Sequence, residues 1–391
     1  MRRFLLFSLT LVALICGCNK QKQPSAQAPH GREVKLSYAQ NIRITEFDGY
    51  TRVELKNPWK KGKTLHTYYL IYNKGNNTED YTAGGKGNNS QCPSDGTPIH
   101  VPLQRAVVFT TAHANLLCQL HAQDAIAGVA DLRYMMIDNI QQRARRKGAK
   151  DAIADCGDAM KPNVERIVDL RADAVLLSPF ENSGGYGTLE HTGIPLIECA
   201  DYMETSALGR AEWMRFYGRL VGKRHEADSL FRTVERNYRR LAALARTSKT
   251  TKSVIPDRKT GSVWYMPGGK SSVGLLYKDA QIGYAFAQDK HSGSLALPFE
   301  TVMDKAGNAD IWLMSHHGEM TRSLLEAEFE GYKQLKAFQN GNIYGCQIDK
   351  VPYFEEVSWR PDWLLRDLIV IFHPALRQQL GTQLRYYKRI Q

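Results

Sequence analysis

RAVVFTTAHANLLCQLHAQDAIAGVADLRYM, residues 105–135, is the stretch on which the reading of the fold turns. Ala106–Phe109 is apolar without alternation, as expected of a short strand covered on both faces. Ala114–Leu120 has helical spacing, and Ile126–Val129 is a second short apolar run. Strand, helix and strand in that order predict a βαβ unit and parallel pairing. The rhythm continues downstream. Asn163–Leu170 places Val164, Ile167 and Val168 at helical spacing, and Ala174–Leu177 and Ile194–Ile197 read as strands. A long helical tract follows, Glu212–Leu220 and then Glu226–Leu244 beyond Gly222, with Leu230, Val234, Tyr238 and Leu241 on one face. Ser262–Tyr265, Ile311–Met314 and Asn342–Tyr344 then read as strands, and Leu297–Ala306 and Trp363–Phe372 as helices. The expected architecture is α/β: two lobes joined by one long helix.

Upstream the pattern is different. Residues 33–72 alternate as β-strands do, with a turn at Asp48-Gly49 and a break at Asn57-Pro58-Trp59. Asn73–Gly96 is rich in Gly, Asn, Ser and Asp and reads as a long loop. At the start, Arg2-Arg3, the apolar run Phe4–Ile15 and Cys16-Gly17-Cys18 have the form of an export signal. Twelve apolar residues fall short of the ~20 that a spanning helix needs. Ile15-Cys16-Gly17-Cys18 resembles a bacterial lipobox with Cys18 lipidated. The expected organisation is a signal at 1–17, a lipid-anchored tether at 18–32, a β-rich lead-in at 33–100, an N-terminal lobe at 101–206, a helical connector at 207–246 and a C-terminal lobe at 247–391.

The 391 residues carry 52 basic and 40 acidic side chains, a net charge of +12. Removal of residues 1–17 takes away Arg2 and Arg3 only and leaves +10. Such a surface suits anionic ligands, and export argues against nucleic acid. Cys92, Cys118, Cys156, Cys199 and Cys346 are widely spaced, with no CxxC or Cys/His cluster for zinc; one or two disulfides are compatible with export. There is no GxSxG or HExxH, so no hydrolase motif. Asp155 and Asp158 read as caps of a helix near Pro162 rather than as an acid pair.

In an open parallel sheet the ligand lies beyond the carboxyl ends of the strands. The segments there are Thr110-Thr111-Ala112-His113, Asp131–Met135, Ser178-Pro179-Phe180-Glu181 with the Gly-rich turn to Tyr186, Asp201-Tyr202, Met266–Lys270 and Ser315-His316-His317, with Tyr353, Phe354 and Trp359 late in the chain. Their aromatic, Arg, His and Met content suits a flat, partly apolar, anionic ligand.

Five segments in order carry a resemblance: residues 105–135, KPNVERIVDLRADAVLLS (161–178), VWYMPGGKSSVG (263–274), LPFETVMDKAGNADIWLM (297–314) and YFEEVSWRPDWLLRDLIVIFHPAL (353–376). Together they resemble the class III substrate-binding proteins of ABC importers, over about two-thirds of the chain. The resemblance implies two Rossmann-like lobes bridged by a rigid helix, and a binding protein rather than an enzyme. It implies a transported iron-siderophore, haem or cobalamin in place of a permanent cofactor, and a permease with its ATPase as partners. A periplasmic, lipid-anchored monomer is the expected form. Glu165 in PNVERI and Glu300 in LPFETV match the family's permease-docking glutamates, one per lobe. The ligand-contact candidates are His113, Arg133, Tyr134, Phe180, Tyr186, Tyr202, Met266, Lys270, His316 and Trp359. Tyr or His side chains among them would ligate haem iron, and Arg133 and Lys270 would pair with acidic groups. A divalent-metal importer using His113, His316 and Glu181, and a haem-processing enzyme, are the alternatives. The lead-in at 33–100 lies outside the family's common core.

Overall fold

Alternating sequence builds the first sheet. A computed structural model describes residues 31–72, 93–181, 185–249 and 251–391. The expected signal, Cys18 with nearly all of the tether, Cys92 and most of the 73–96 loop lie outside the described residues. β1 (Arg32–Glu33), β2 (Ile42–Phe47), β3 (Tyr50–Lys56), β4 (Thr64–Tyr72) and β5 (Thr97–Val101) pair in chain order, antiparallel except for β4–β5. One face sends Ile44, Val53, Leu55, Tyr68 and Leu70 into the core.

Buried carboxylates fasten this lead-in to the downstream chain. Glu212 accepts from the backbone N–H groups of Ser37, Tyr38 and Ala39 at 3.0, 2.8 and 2.9 Å. Glu204 accepts from Gln40 and Asn41. Glu46 meets Arg219 at 2.8 Å and Arg224 at 3.1 Å. The Tyr68 hydroxyl bridges the Leu196 carbonyl and the Glu198 N–H, both at 2.9 Å. Each carboxylate thus has the donors that burial demands. The sheet rests on the connecting helices as well as on the first lobe, and residues 31–391 form one compact unit.

The first lobe runs β6 (Ala106–Val108), α1 (Thr111–Gln119), β7 (Ile126–Val129), α2 (Asp138–Arg145), β8 (Ala154–Asp155), the small hairpin β9 (Gly157–Asp158) and β10 (Lys161–Pro162), α3 (Val164–Asp169), β11 (Ala174–Leu177) and β12 (Leu196–Glu198). Its sheet is all parallel in the order β12-β11-β6-β7-β8. Every residue of β6, β7 and β11 is buried, as the unbroken apolar runs require.

The connector is α4 (Ala207–Glu212), α5 (Met214–Leu220) and α6 (Arg224–Ala245). At 22 residues, α6 is ~33 Å long. It buries Ala227, Phe231, Val234, Tyr238, Leu241 and Ala245 at helical spacing.

The second lobe contains β13 (Ser253–Pro256), β14 (Lys259–Thr260), β15 (Val263–Pro267), α7 (Ser272–Asp279), β16 (Gly283–Tyr284), β17 (Ser294–Pro298), α8 (Phe299–Ala306), β18 (Ile311–His316), α9 (Arg322–Glu328), α10 (Lys336–Gln339), β19 (Ile343–Gln347), α11 (Tyr353–Glu356), α12 (Pro361–Phe372), α13 (Arg377–Leu380) and β20 (Tyr387–Arg389). Its sheet order is β16-β13-β18-β19-β20, parallel apart from β19–β20.

Several local expectations are corrected. The strand read at Ser262–Tyr265 is not part of the parallel sheet: β15 pairs antiparallel with β14 and β17 in a separate three-stranded sheet. The parallel strand is β13, a run of four ending in proline that gives little periodicity to detect. The helix read from Leu297 begins at Phe299, because Leu297 pairs with Trp264 and Pro298 is the N-cap. α2 escapes a reading by periodicity because its buried face includes Arg143, whose guanidinium donates to the carbonyls of Asp151, Gln123 and Ile126. Cys118, Cys156, Cys199 and Cys346 are free thiols, so the disulfides compatible with export do not form among the described cysteines.

Candidate inter-lobe ligand site

Both parallel sheets direct their carboxyl ends at the boundary between the lobes. α1 starts just after β6, α11 follows β19, and the two helices pack together. The Glu355 carboxylate of α11 accepts from the Thr111 hydroxyl at 2.7 Å and the Met136 N–H at 3.1 Å. Asn115 donates to the Glu355 carbonyl at 2.8 Å, and the Trp359 indole N–H to the Ala112 carbonyl at 2.6 Å. These bonds close the floor of the cleft and hold the lobes together.

Above the floor the side chains are aromatic and open. Tyr134 is 60% exposed, Phe180 44%, Tyr202 36% and Phe354 52%, which leaves large apolar rings open to solvent. Arg133 lies over the Tyr134 ring at 4.5 Å. On the first lobe Phe180, Tyr186 and Tyr202 line one pocket of about 550 Å³ with Phe109, Met160 and Pro162. The Tyr186 hydroxyl donates to Glu198 at 2.9 Å and that of Tyr202 to the Pro179 carbonyl. Burial first, and then Glu198 beside Tyr186 and Asp201 near Tyr202, push both phenols up.

Four candidates sit away from solvent. His113 is buried with Asp201: its Nε2 lies 2.8 Å from Asp201 Oδ1 and 3.1 Å from the Tyr217 hydroxyl, and its Nδ1 meets the Thr110 hydroxyl. Tyr217 and Arg210 also donate to Asp201, at 2.7 and 3.0 Å. Burial by itself would depress the imidazole pKa; the Cys199 sulfur and the Asp201 carboxylate outweigh it and raise it. Trp359 is fully buried with its ring 5.5 Å from both His113 and Tyr217. Met266 is buried on β15 opposite Leu295. His316 is buried with Nδ1 3.0 Å from the Gly318 carbonyl. All four are taken up by packing within the protein, which leaves little of their surface for a ligand.

The His316 ring lies close to Gly345, where an added Cβ would come within 2.6 Å of its Nε2. Gly345→Ala is therefore expected to lower stability by about 1–3 kcal/mol, read as an earlier chemical-unfolding midpoint. An unchanged midpoint would mean that the ring moves aside freely.

Lys270 is exposed beside Ser271, the N-cap of α7. Glu165 and Glu300 are both exposed, each in the first turn of a short helix, α3 and α8. Asp155 and Asp158 do not cap α3: they accept from Gly157 and Met160 N–H, and Asn163 caps the helix. Among the described residues no group of three His, Cys, Asp or Glu side chains is placed to hold a metal, so His113, His316 and Glu181 form no such site.

Two open side chains were not among the sequence candidates. Met160, 75% exposed, stands between β9 and β10. Phe354 is exposed where its neighbour Trp359 is buried. A turn signal, Gly157 with Asp158, was present for the first; for the second nothing in the sequence separates one late aromatic from the other.

The periplasmic binding protein family model matches residues 107–349, well over half of the chain. An uncharacterised lipoprotein of Methanocaldococcus jannaschii is 24% identical over 355 residues, 87% of this chain and 82% of the relative. Of solved structures, S. aureus IsdE complexed with haem superposes with a TM-score of 0.54 at 20% identity, covering 69% of this chain and 98% of that one. An ABC-type Fe3+-hydroxamate transport system structure from Saccharomonospora viridis gives a TM-score of 0.52 at 16% identity over 72% and 94%. The matched segment begins inside β6 and ends after β19, spanning the strands that shape the cleft and leaving the lead-in outside. By this match and by its two-lobed α/β fold with a 22-residue linking helix, the chain belongs to the periplasmic binding protein family, whose members bind substrates for transport and are not enzymes.

Proposed function

We propose that this protein is the substrate-binding lipoprotein of an ABC importer, taking up haem or a ferric siderophore in the inter-lobe cleft and presenting it to a membrane permease. The observation that carries the reading is the exposure of four aromatic rings, Tyr134, Phe180, Tyr202 and Phe354, on segments that follow the strands and adjoin the hydrogen-bonded contact between the lobes. Such a surface stacks on a flat or ring-bearing ligand, and Arg133 with Lys270 supplies charge for acidic groups. The net charge of +10 that remains once residues 1–17 are removed aids encounter with anionic chelates and loses its effect as salt rises. The floor contacts oppose a large hinge motion, so capture proceeds on nearly pre-formed walls. Lipidation at Cys18 would hold the protein at a membrane of the cell envelope. The lipoprotein relative supports this, and among the described residues no helix is long and apolar enough to cross a membrane.

The test is titration of the soluble form beginning at Gln21 with haemin, cyanocobalamin and a ferric catecholate, followed by absorbance and tryptophan quenching. Saturable one-to-one binding of haemin or the catecholate is expected. Tyr134→Ala should weaken it by about tenfold or more, since burial of one aromatic ring contributes about 1.5–3 kcal/mol. A Soret shift that disappears in Tyr134→Phe would identify that phenol as the iron ligand. Binding of the corrinoid alone would replace the iron chelate by cobalamin in the same cleft, and binding of none of the three would overturn the reading.

A further inference from the structure

The outward face of α6 is cationic along most of its length. Between Ser229 and Lys249 nine positions are exposed; six are Arg or Lys and none is acidic. Arg232, Arg236, Arg239, Arg240 and Arg246 recur at three- and four-residue spacing. They form one stripe ~21 Å long, turned away from the buried Val234, Tyr238, Leu241 and Ala245. A face that is merely solvated gains from Glu and Lys at such spacing, whereas like charges at i,i+4, as in Arg232–Arg236 and Arg236–Arg240, repel. Arg239 comes 3.7 Å from Glu235, and Arg236 reaches the Thr233 hydroxyl at 3.5 Å. Among the described residues the guanidinium groups of Arg232, Arg240 and Arg246 have no ion-pair or hydrogen-bond partner.

The first described residues lie beside the same helix. Arg32 pairs with Glu46 at 2.6 Å, and Glu46 also meets Arg224, in the first turn of α6, at 3.1 Å. The Tyr38 hydroxyl donates to Glu235 of α6 at 2.7 Å. Only residues 19–30 separate Cys18 from Gly31, a reach of at most about 45 Å at full extension. A lipid on Cys18 would therefore keep this helix near the bilayer. Arg239, Arg240 and Arg246 also border a groove of about 840 Å³ with Tyr38, Glu235 and Asp279. Its two acids are engaged, Glu235 by Tyr38 and Asp279 by the Tyr238 hydroxyl at 2.8 Å, which leaves Arg240 and Arg246 as its unpaired charges.

We propose that the arginine face of α6 docks on an anionic phospholipid surface, so that the tethered protein lies with its connector helix along the membrane. The inference rests on the lipid-anchor reading for the presence of that bilayer and is independent of which chelate the cleft carries. A row of charges ~21 Å long matches a sheet of headgroups better than one small anion, which two or three of these groups would satisfy. Arginine is the fitting cation, because its planar fork pairs bidentately with phosphate and sheds water more readily than an ammonium. Attraction to a charged bilayer fades within a Debye length, so the tether matters: it holds the stripe where that attraction acts.

The test is co-sedimentation with vesicles of the form beginning at Gln21, which lacks the lipid and keeps the whole compact unit of residues 31–391. Phosphatidylcholine vesicles containing about one-third phosphatidylglycerol are compared with pure phosphatidylcholine. At low salt the anionic vesicles are expected to bind at least about tenfold more tightly, and the preference should vanish near about 0.5 M salt. Arg232→Gln/Arg236→Gln/Arg240→Gln/Arg246→Gln should remove most of that preference, with an unfolding midpoint equal to wild type or higher as the repelling pairs are lost. Lys147→Gln/Lys150→Gln/Lys350→Gln/Lys388→Gln takes the same charge from exposed positions on the two lobes and should bind nearly as wild type. Equal binding to the two vesicles, equal losses in the two quadruple variants, or release by inorganic phosphate at constant ionic strength would each overturn this inference and leave the anchor and importer readings standing. Absence of acylation at Cys18 in cells would overturn the anchor reading, while vesicle binding still decides this one.

Discussion

The double substitution Glu165→Gln/Glu300→Gln is expected to abolish uptake while leaving ligand affinity within about twofold of wild type. The two carboxylates are exposed, one on each lobe, each in the first turn of a short helix. Among the described residues neither is in an ion pair. Two carboxylates on separate rigid lobes offer a permease a two-point contact that fixes orientation as well as attraction, and arginines are the fitting complement. Each alone would serve as an ordinary helix-dipole acid, worth roughly 0.3–1 kcal/mol to its helix. The experiment separates the two roles: uptake in cells or proteoliposomes reports docking, and titration with unfolding reports ligand affinity and stability. Normal uptake by the double variant would end the docking assignment. Single variants should each lose part of the rate, since the partner contact remains.

The second large effect is on stability. Asp201→Ala is expected to cost about 3–5 kcal/mol, because it leaves His113 and Arg210 without their buried counter-charge. That is a large share of the roughly 5–15 kcal/mol typical of a domain. The same group sets a pH signature. His113 is raised in the folded protein, to about 10, so its contribution is complete below the free value of 6.5 and is lost as pH rises toward 10. Asp201 runs oppositely: burial would raise it, but His113 and Arg210 lower it to about 2, so its contribution is present above 3.8 and lost as pH falls below that. The pair is therefore strongest between these free values and weakens toward alkaline pH. Chemical unfolding at pH 6.0, 8.0 and 9.5 should show the gap between wild type and His113→Gln narrowing with pH. A constant gap would mean that the imidazole is not charged at neutral pH.

The sequence is most informative where one physical requirement dominates. β7 and β11 are read at their full length because unbroken apolar runs such as Ile126–Val129 and Ala174–Leu177 fit only strands covered on both faces. α6 is legible because Val234, Tyr238 and Leu241 share one face. β13 is not, for four residues ending in proline carry no period, and α2 is concealed by an arginine whose charge is satisfied by three backbone carbonyls. The same limit applies to the site. Strand ends locate loops, but His113, Met266, His316 and Trp359 come from those loops and nearby segments and are buried by packing.

By itself, then, the sequence determined the α/β lobes, the linking helix, the family and the sheet edge on which the candidate site is built. These follow from local periodicity and from segments kept in a fixed order. Only the tertiary structure decided which side chains reach solvent at that edge. Tyr134 and Phe354 are exposed, whereas Trp359 is buried with its indole held by the Ala112 carbonyl. His113 is drawn inward because Asp201, 88 residues away in the chain, is buried beside it and requires a donor. Exposure and hydrogen-bond supply depend on residues far apart in sequence, and no window along the chain contains them.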